Sequence, residues 1–457
     1  MSDARTARAR HWPLLVVLPA LTGEVLTLWF GLRHEWFASI LRTEAVAVAL
    51  FALALLGMLA YTGKRGVLLV LAGGLLLQLA ALGAPPSTSD DVNRYVWDGK
   101  VQLAGIDPYR YPPSAEQLDR LRGNTLFYQG KSSCTWKLPD GRCSRVNRPD
   151  VHTVYPPVAE GAFTLARIAS LGRSDGPFPL QVLAALGSLA ISVLLARWAG
   201  SRRRPAWQVA MWAWCPVTAV ELANNGHIDW LAALASAGAL LAYRQRRAGL
   251  AGVLLGAAIA TKLYPALLLP AMLRRHPVRL VGAAVGLVVL GYLPHVLAVG
   301  SAVIGYLPGY LKEEDYTNGG RFLLLAKLLP HALLTAAAVL VLLLAAWWAA
   351  RRSDPARPEQ AALVMVGVGM LVATPSYSWY AVSLLVLVAM TGRLEWLPLV
   401  VAPTFANLGA HYFGNGVDYR TSCYGVALLA ALGGWLIRAN LDLFQRGEPE
   451  HQPLRAE

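Results

Sequence analysis

The sequence predicts an all-α integral membrane protein with about 11–13 transmembrane or partial helices and one large extracytoplasmic loop. Of its 457 residues, 56% are hydrophobic and only 15% are charged, and the mean hydropathy is +0.44. The apolar runs repeatedly approach the roughly 20 residues that cross a bilayer. Lys and Arg cluster in short segments between these runs, which is typical of cytoplasmic connections. The net charge of +14 therefore indicates membrane topology, not a nucleic acid partner.

The chain divides into four predicted parts: membrane helices in 1–83, a large extracytoplasmic loop in 84–155, a transmembrane helical body in 156–438, and a cytoplasmic tail in 439–457. Three apolar runs precede the large loop. Lys64 and Arg65 mark the turn between the second and third runs as cytoplasmic, so the N-terminus is expected inside and the loop outside.

The body begins with a run, 156–172, that we expect to be a partial or interfacial helix. It contains Glu160 and Arg167, which are costly at mid-bilayer. Many later runs are short, and short helices at membrane depth usually line a cavity. The basic loops place the polar junctions on one extracytoplasmic face; these junctions are 221–230, 261–265, 306–321, 375–380 and 411–420.

The most polar stretch, 89–113, is predicted to begin with a helix over about 90–104, capped by Ser89 or Asp90. Asp90, Arg94 and Asp98 are four residues apart and share one helix face, where a salt-bridge ladder would explain them. Asp91 lies in a different register. The structural alternative is a solvated amphipathic helix on the membrane surface.

The motifs of this stretch resemble a known family. They are DVNRY from Asp91 to Tyr95, WDG at 97–99, DPY at 107–109 and VYPP at 154–157. This pattern is similar to the integral-membrane GT-C glycosyltransferases, in particular the polytopic glycosyltransferase family 87 and its mannosyltransferase relatives. NNGHID at 224–229 and TKLYP at 261–265 extend the similarity. One departure is that three apolar runs, not one, precede the first motif.

The resemblance implies a reaction and a set of roles. In these enzymes a carboxylate at the start of the first large extracytoplasmic loop, four residues before an aromatic, is the catalytic base, and the donor is a polyprenyl-phosphate sugar. Asp91 is then the base and Asp90 the second candidate. A phosphate leaving group needs cations, for which Lys262, Arg94 and Arg321 are the candidates, although a lysine at a helix end can simply snorkel to the interface.

Eight further residues are candidates for substrate binding: Tyr95, Asn225, His227, Asp229, Tyr264, Tyr377, Trp379 and Tyr380. Helix capping could equally explain the Asn, His and Asp side chains, and an interfacial aromatic belt could explain the Tyr and Trp side chains. We expect no cofactor. The family resemblance leaves a divalent metal possible, but no ligand cluster supports one.

Cys134 and Cys143 lie in the large loop and would pair as a disulfide in an oxidising compartment; two free thiols are the alternative. The sequence thus predicts a plasma-membrane glycosyltransferase that transfers a sugar, mannose by resemblance, to a lipid-linked or cell-envelope glycan. A membrane transporter or flippase is the rival interpretation.

Overall fold

The computed structural model describes residues 12–34, 40–130, 134–172, 175–410, 412–413 and 416–447. Helices dominate these residues. In chain order, α1 to α18 are Leu14–Gly31, Ile40–Ala60, Gly66–Ala81, Asp91–Leu103, Pro157–Ala169, Phe178–Ser201, Ala206–Ala213, Pro216–Thr218, Asp229–Arg244, Ala248–Ile259, Pro277–Val299, Leu307–Glu313, Leu323–Ala326, Leu334–Arg352, Pro358–Ala373, Ala381–Thr391, Leu397–Ala410 and Gly416–Gly447.

Short 3-10 or π segments connect several of these helices. The 3-10 segments are Glu116–Leu121, Tyr264–Met272, Gly300–Ile304, His331–Leu333, Ser378–Tyr380 and Leu394–Trp396, and the π segment is Ala219–Asn224. Strands β1, β2 and β3 are Phe127–Tyr128, Trp136–Lys137 and Cys143–Ser144.

Six helical segments of the described chain are long and apolar enough to cross a membrane. They are Leu14–Gly31, Ile40–Ala60, Phe178–Ser201, Pro277–Glu313, His331–Arg352 and Gly416–Asn440. Four shorter apolar helices accompany them: Gly66–Ala81, Ala248–Ile259, Pro358–Ala373 and Ser378–Thr391. The predicted all-α integral membrane fold is confirmed. The N-terminal residues 1–11, and 448–457 of the predicted tail, lie outside the described residues.

One apolar run of the helical body, 206–220, is broken in the structure. α7 ends at Ala213, and Cys215 adopts an extended conformation (φ −62°, ψ +124°) before Pro216 begins the three-residue α8. Proline disfavours a helical conformation in the residue before it and lacks an N–H, so the helix cannot continue through this point. The chain then forms the buried π segment Ala219–Asn224.

The helix of the large loop, α4, packs against α5, which directly follows the loop. Tyr95 of α4 stacks on Phe163 of α5 with ring centroids 4.3 Å apart. A Cβ atom at Gly99 would lie 2.6 Å from the carbonyl oxygen of Phe163, so only glycine allows the two helices to approach this closely. α5 has 13 residues and is not among the candidate membrane spans, which agrees with the predicted partial helix.

A small antiparallel sheet with the order β1-β3-β2 completes the loop. A disulfide joins Cys134 to Cys143 of β3. β3 leads to Val146, which is fully buried and anchors the chain in the same apolar cluster as α4 and α5. The two residues that follow, Asn147 and Arg148, are thereby held beside the start of α4.

Candidate active site

A cavity of about 560 Å³ lies where five segments of the chain meet. Its walls come from 88–94, 147–156, 262–267, 306–316 and 377–380. Four of these segments contain, or overlap, the polar motifs and junctions singled out in the sequence. The fifth, 147–156, overlaps the VYPP motif only at its end. The junction at 411–420 contributes none of its described residues to the cavity wall, and His411, Gly414 and Asn415 lie outside the described residues.

The Asp91 carboxylate is held on both oxygens. The Asn147 amide donates to Oδ1 at 2.6 Å, and the Tyr155 hydroxyl donates to Oδ2 at 3.2 Å. Asp91 is the first residue of α4, where the positive end of the helix dipole stabilises a carboxylate, and its N–H donates to Ser89 Oγ at 3.2 Å. The result is an oriented carboxylate that lines the cavity.

Asp90 shares a hydrogen-bond donor with Asp91. The same Asn147 amide nitrogen donates to Asp90 Oδ1 at 2.8 Å. Desolvation by the surrounding protein and the neighbouring Asp91 charge raise the pKa of Asp90, while the Asn147 hydrogen bond opposes that rise. The side chain faces the open cavity, so this desolvation is partial.

Arg94 is one of the residues that line the cavity, but its guanidinium is already paired, which makes it a poor candidate for phosphate binding, contrary to the sequence-based prediction. Its Nε lies 3.0 Å from Asp98, and both side chains are buried. Its other guanidinium nitrogens donate to the Val151 carbonyl at 3.2 Å. Burial raises the pKa of Asp98, although the Arg94 charge opposes this shift. The guanidinium therefore fixes the segment around Val151 against α4.

Arg321, unlike Arg94, lies away from the cavity. It pairs with Glu314 and donates to the Ser376 hydroxyl, and it is only 8% exposed. It is not part of the cavity wall. Arg321 is therefore a poor candidate for phosphate binding, contrary to the prediction. Its contacts instead join the segments of Glu314 and Ser376, which support the cavity wall.

Lys262 keeps the position predicted for a phosphate ligand. It lines the cavity, with its Nζ 5.2 Å from the Tyr155 ring centroid and 3.4 Å from Asp229 Oδ2. The Tyr264 hydroxyl donates to the other oxygen of Asp229 at 3.0 Å. Asp229 is fully buried, so it places Lys262 and Tyr264 but does not reach the cavity itself.

Asn225 and His227 are likewise fully buried and do not line the cavity, which argues against the predicted contact with substrate. They belong to a network around Glu221 that fixes the segment entering α4. Asn225 Oδ1 accepts from the Ser87 N–H at 2.9 Å, and Glu221 accepts from the Thr88 hydroxyl at 3.3 Å. His227 Nδ1 lies 3.0 Å from Glu221. The motif's polar groups are therefore used inside the protein: Asn225 binds backbone, and His227 and Asp229 contact other side chains.

The aromatic candidates separate into two groups. Tyr264, Tyr377, Trp379 and Tyr380 line the cavity. Tyr377 and Trp379 stack with ring centroids 4.5 Å apart. Tyr95 is fully buried between α4 and α5, so its register with Asp91 reflects packing and not contact with substrate.

The described residues contain no group of three or more His, Cys, Asp or Glu side chains that could hold a metal ion, and we assign no metal ligand. Sequence reasoning did not choose Asn147, Arg148 or Tyr155 as site residues, although all three line the cavity. For Tyr155 the VYPP motif was a usable signal. Asn147 and Arg148 had none, because they lie in an irregular segment without periodicity.

The glycosyltransferase family 87 model matches residues 154–375. The match begins at VYPP, includes NNGHID and TKLYP, and ends just before Tyr377; Asp90 and Asp91 precede it. Comparisons with curated proteins and with solved structures return no match. The resemblance predicted from the motifs is confirmed over this range: residues 154–375 match glycosyltransferase family 87, which indicates a membrane glycosyltransferase.

Proposed function

We propose that this protein is an inverting, GT-C-type glycosyltransferase that takes a sugar from a polyprenyl-phosphate donor, with Asp91 as the general base. The observation that carries the proposal is the Asp91 carboxylate, oriented by Asn147 and Tyr155 at the wall of the large cavity. By family resemblance the sugar is mannose and the acceptor is a lipid-linked or cell-envelope glycan.

The reaction is a single displacement. An acceptor hydroxyl attacks the anomeric carbon and transfers its proton to Asp91, while the bond from that carbon to the phosphate oxygen breaks and the electron pair stays on the phosphate. A positioned base typically contributes a factor of about 10² to 10⁴ to such a step. The leaving group is already an anion, so the step needs cations to stabilise it and no second carboxylate as general acid.

Lys262 supplies a cation at the wall, because it lines the cavity and, among the described residues, its one ion pair is with the buried Asp229 at 3.4 Å. An ammonium at this position suits a phosphate as a point charge. The neighbouring apolar and aromatic wall, including Leu263, Leu267 and Trp379, suits a sugar and the first isoprene units.

The proposed setting is the plasma membrane, with the cavity on the extracytoplasmic face and the N-terminus in the cytoplasm. The basic clusters between the helices support this orientation. A disulfide in the large loop is also consistent with an oxidising compartment.

A transporter or flippase is the second candidate. Glu24 and Glu44 are buried inside α1 and α2, and buried carboxyl groups within membrane helices often mark a pathway. Neither side chain lines the cavity, however, so the residues that would form a pathway do not join the site around Asp91.

Reconstituted protein supplied with radiolabelled polyprenyl-phosphate mannose and a cell-envelope lipid extract tests the proposal. We expect label in a glycolipid whose new linkage is inverted relative to the donor, and no transfer from a nucleotide sugar. Transfer from the nucleotide sugar, or movement of the donor across the bilayer without transfer, would contradict it.

A further inference from the structure

We propose that Arg148 binds the phosphate of the lipid donor and that Glu313 holds the guanidinium when no phosphate is bound. This inference rests on the proposed function, because it assumes a phosphate-bearing donor. It adds a second cation to the site, from the segment that also supplies Asn147.

Arg148 lies at the centre of the site. It lines the cavity and directly follows Asn147, whose amide bridges the two carboxylates. Its charge lowers the pKa of Asp90, so the guanidinium is within electrostatic reach of the residue that precedes the proposed base. A phosphate bound here would therefore lie beside the proposed base.

The partner of Arg148 can be exchanged. Arg148 Nε lies 2.9 and 3.0 Å from the two Glu313 oxygens, and a second nitrogen also contacts the carboxylate. The two side chains are 27% and 36% exposed, whereas the Arg94–Asp98 pair is at 5% and 3%. A solvated ion pair contributes little to stability, so an incoming phosphate can displace the carboxylate. A guanidinium binds phosphate in the same two-pronged geometry.

The backbone at Arg148 also indicates a specific role. Its φ is +44°, in the left-handed region that favours glycine. A bulky residue in this conformation is strained, and such strain clusters at functional sites. A glycine would relieve the strain but would remove the guanidinium from the cavity wall.

Glu313 connects the exchange to one wall of the cavity. It ends α12, and the Tyr306 hydroxyl donates to its carboxylate at 2.9 Å. Tyr306 and Tyr310 of this segment line the cavity. Release of Glu313 by a phosphate would thus remove one of the contacts that hold α12, while the Tyr310–Tyr380 hydrogen bond remains.

The test is binding of polyprenyl phosphate, and of polyprenol with the same chain length, to purified protein in nanodiscs. We expect the wild type to bind the phosphate at least about tenfold more tightly than the alcohol. Arg148→Gln should lose about tenfold in phosphate affinity, and Arg148→Lys should recover part of it. Glu313→Gln should bind at least as tightly as wild type, because the competing carboxylate is gone. Lys312→Gln, which removes a charge next to Glu313 but outside the cavity wall, should bind as wild type does.

Two results would overturn the inference while leaving the donor class intact. One is an Arg148→Gln variant with the wild-type preference for the phosphate. The other is an equal loss of phosphate affinity in Arg148→Gln and Glu313→Gln, which would mean that the ion pair has a structural role only. Full competition by the same concentration of inorganic phosphate would refute a lipid-phosphate site. If the wild type binds the phosphate and the alcohol equally, the proposed function itself fails.

Discussion

The Asn147→Ala variant should shift the pH dependence of sugar transfer. One Asn147 amide nitrogen donates to Asp90 at 2.8 Å and to Asp91 at 2.6 Å, so it stabilises negative charge on adjacent carboxylates. Without this donor the pKa of Asp90, already raised by desolvation and by the Asp91 charge, should rise further. A protonated Asp90 beside the base would weaken proton acceptance from the acceptor.

The size of the shift follows from the hydrogen bond. A hydrogen bond to a charged group contributes about 1.5–3 kcal/mol, and water in the open cavity can replace part of it, so the low end applies. Since one pKa unit corresponds to about 1.4 kcal/mol, the pKa of Asp90 should rise by about one unit. Protonation of Asp90 should slow transfer only in part, so the variant should show this partial loss at a higher pH than wild type and recover activity in alkaline buffer.

The assay is the pH profile of transfer from polyprenyl-phosphate mannose for wild type and Asn147→Ala. Ser144→Ala is a matched control, because Ser144 lies in the same segment and its buried hydroxyl donates to the Val146 carbonyl at 2.8 Å, with no contact to Asp90 or Asp91 among the described residues. The control should keep the wild-type acid limb. If the Asn147→Ala variant has the wild-type rate and the wild-type decline at acid pH, the proposed effect of the Asn147 hydrogen bonds on the carboxylates is refuted.

Three other predictions concern the surroundings of the site. Lys262→Gln should raise KM for the donor by about tenfold and leave KM for the acceptor nearly unchanged, as steady-state kinetics will show. Replacing Cys134 and Cys143 by serine should lower the free energy of unfolding by about 2–3 kcal/mol and reduce transfer, because the segment leading to Asn147 loosens; thermal melts and activity assays measure this. Glu160→Gln should make the melting temperature less sensitive to rising pH.

The sign of the Glu160 effect follows from its burial. Desolvation, together with the nearby Asp98 charge, raises its pKa well above the ordinary 4.5. Its contribution to stability is therefore complete below about pH 4.5 and is lost as pH rises through the folded-state pKa, whereas glutamine cannot ionise. A Glu160→Gln protein whose melting temperature has the wild-type pH dependence would contradict this account. For Lys262→Gln, equal changes in KM for the donor and in KM for the acceptor would contradict the prediction.

The spacing of residues in the sequence was sufficient to predict the helix near the start of the large loop. The sequence predicted its bounds within one residue at each end and named Ser89 or Asp90 as the cap; Asp90 is the N-cap residue, and Ser89 Oγ accepts from the Asp91 N–H. The structure agrees that Asp98 and Arg94 pair. These features depend on spacings of three to four residues, which a helix makes visible in sequence.

The contacts that complete the site could not be predicted in this way. Asn147 and Tyr155 reach Asp91 from 56 and 64 residues later in the chain. Asn225 and His227 have the polarity expected of sugar ligands, but the break at Pro216 turns them into the buried core, where they bind backbone and Glu221. A polar residue at a helix junction has the same sequence signature in both cases, and only tertiary packing separates them.

The most direct test of the central claim is single-turnover transfer from polyprenyl-phosphate mannose by Asp91→Asn compared with Asp90→Asn. The exchange removes one charge in each variant at nearly constant volume, and donor binding is measured in parallel. The account predicts a loss of about 10² to 10⁴ in rate for Asp91→Asn with the donor still bound, and a much smaller loss for Asp90→Asn. A folded Asp91→Asn protein that transfers the sugar at the wild-type rate would contradict it.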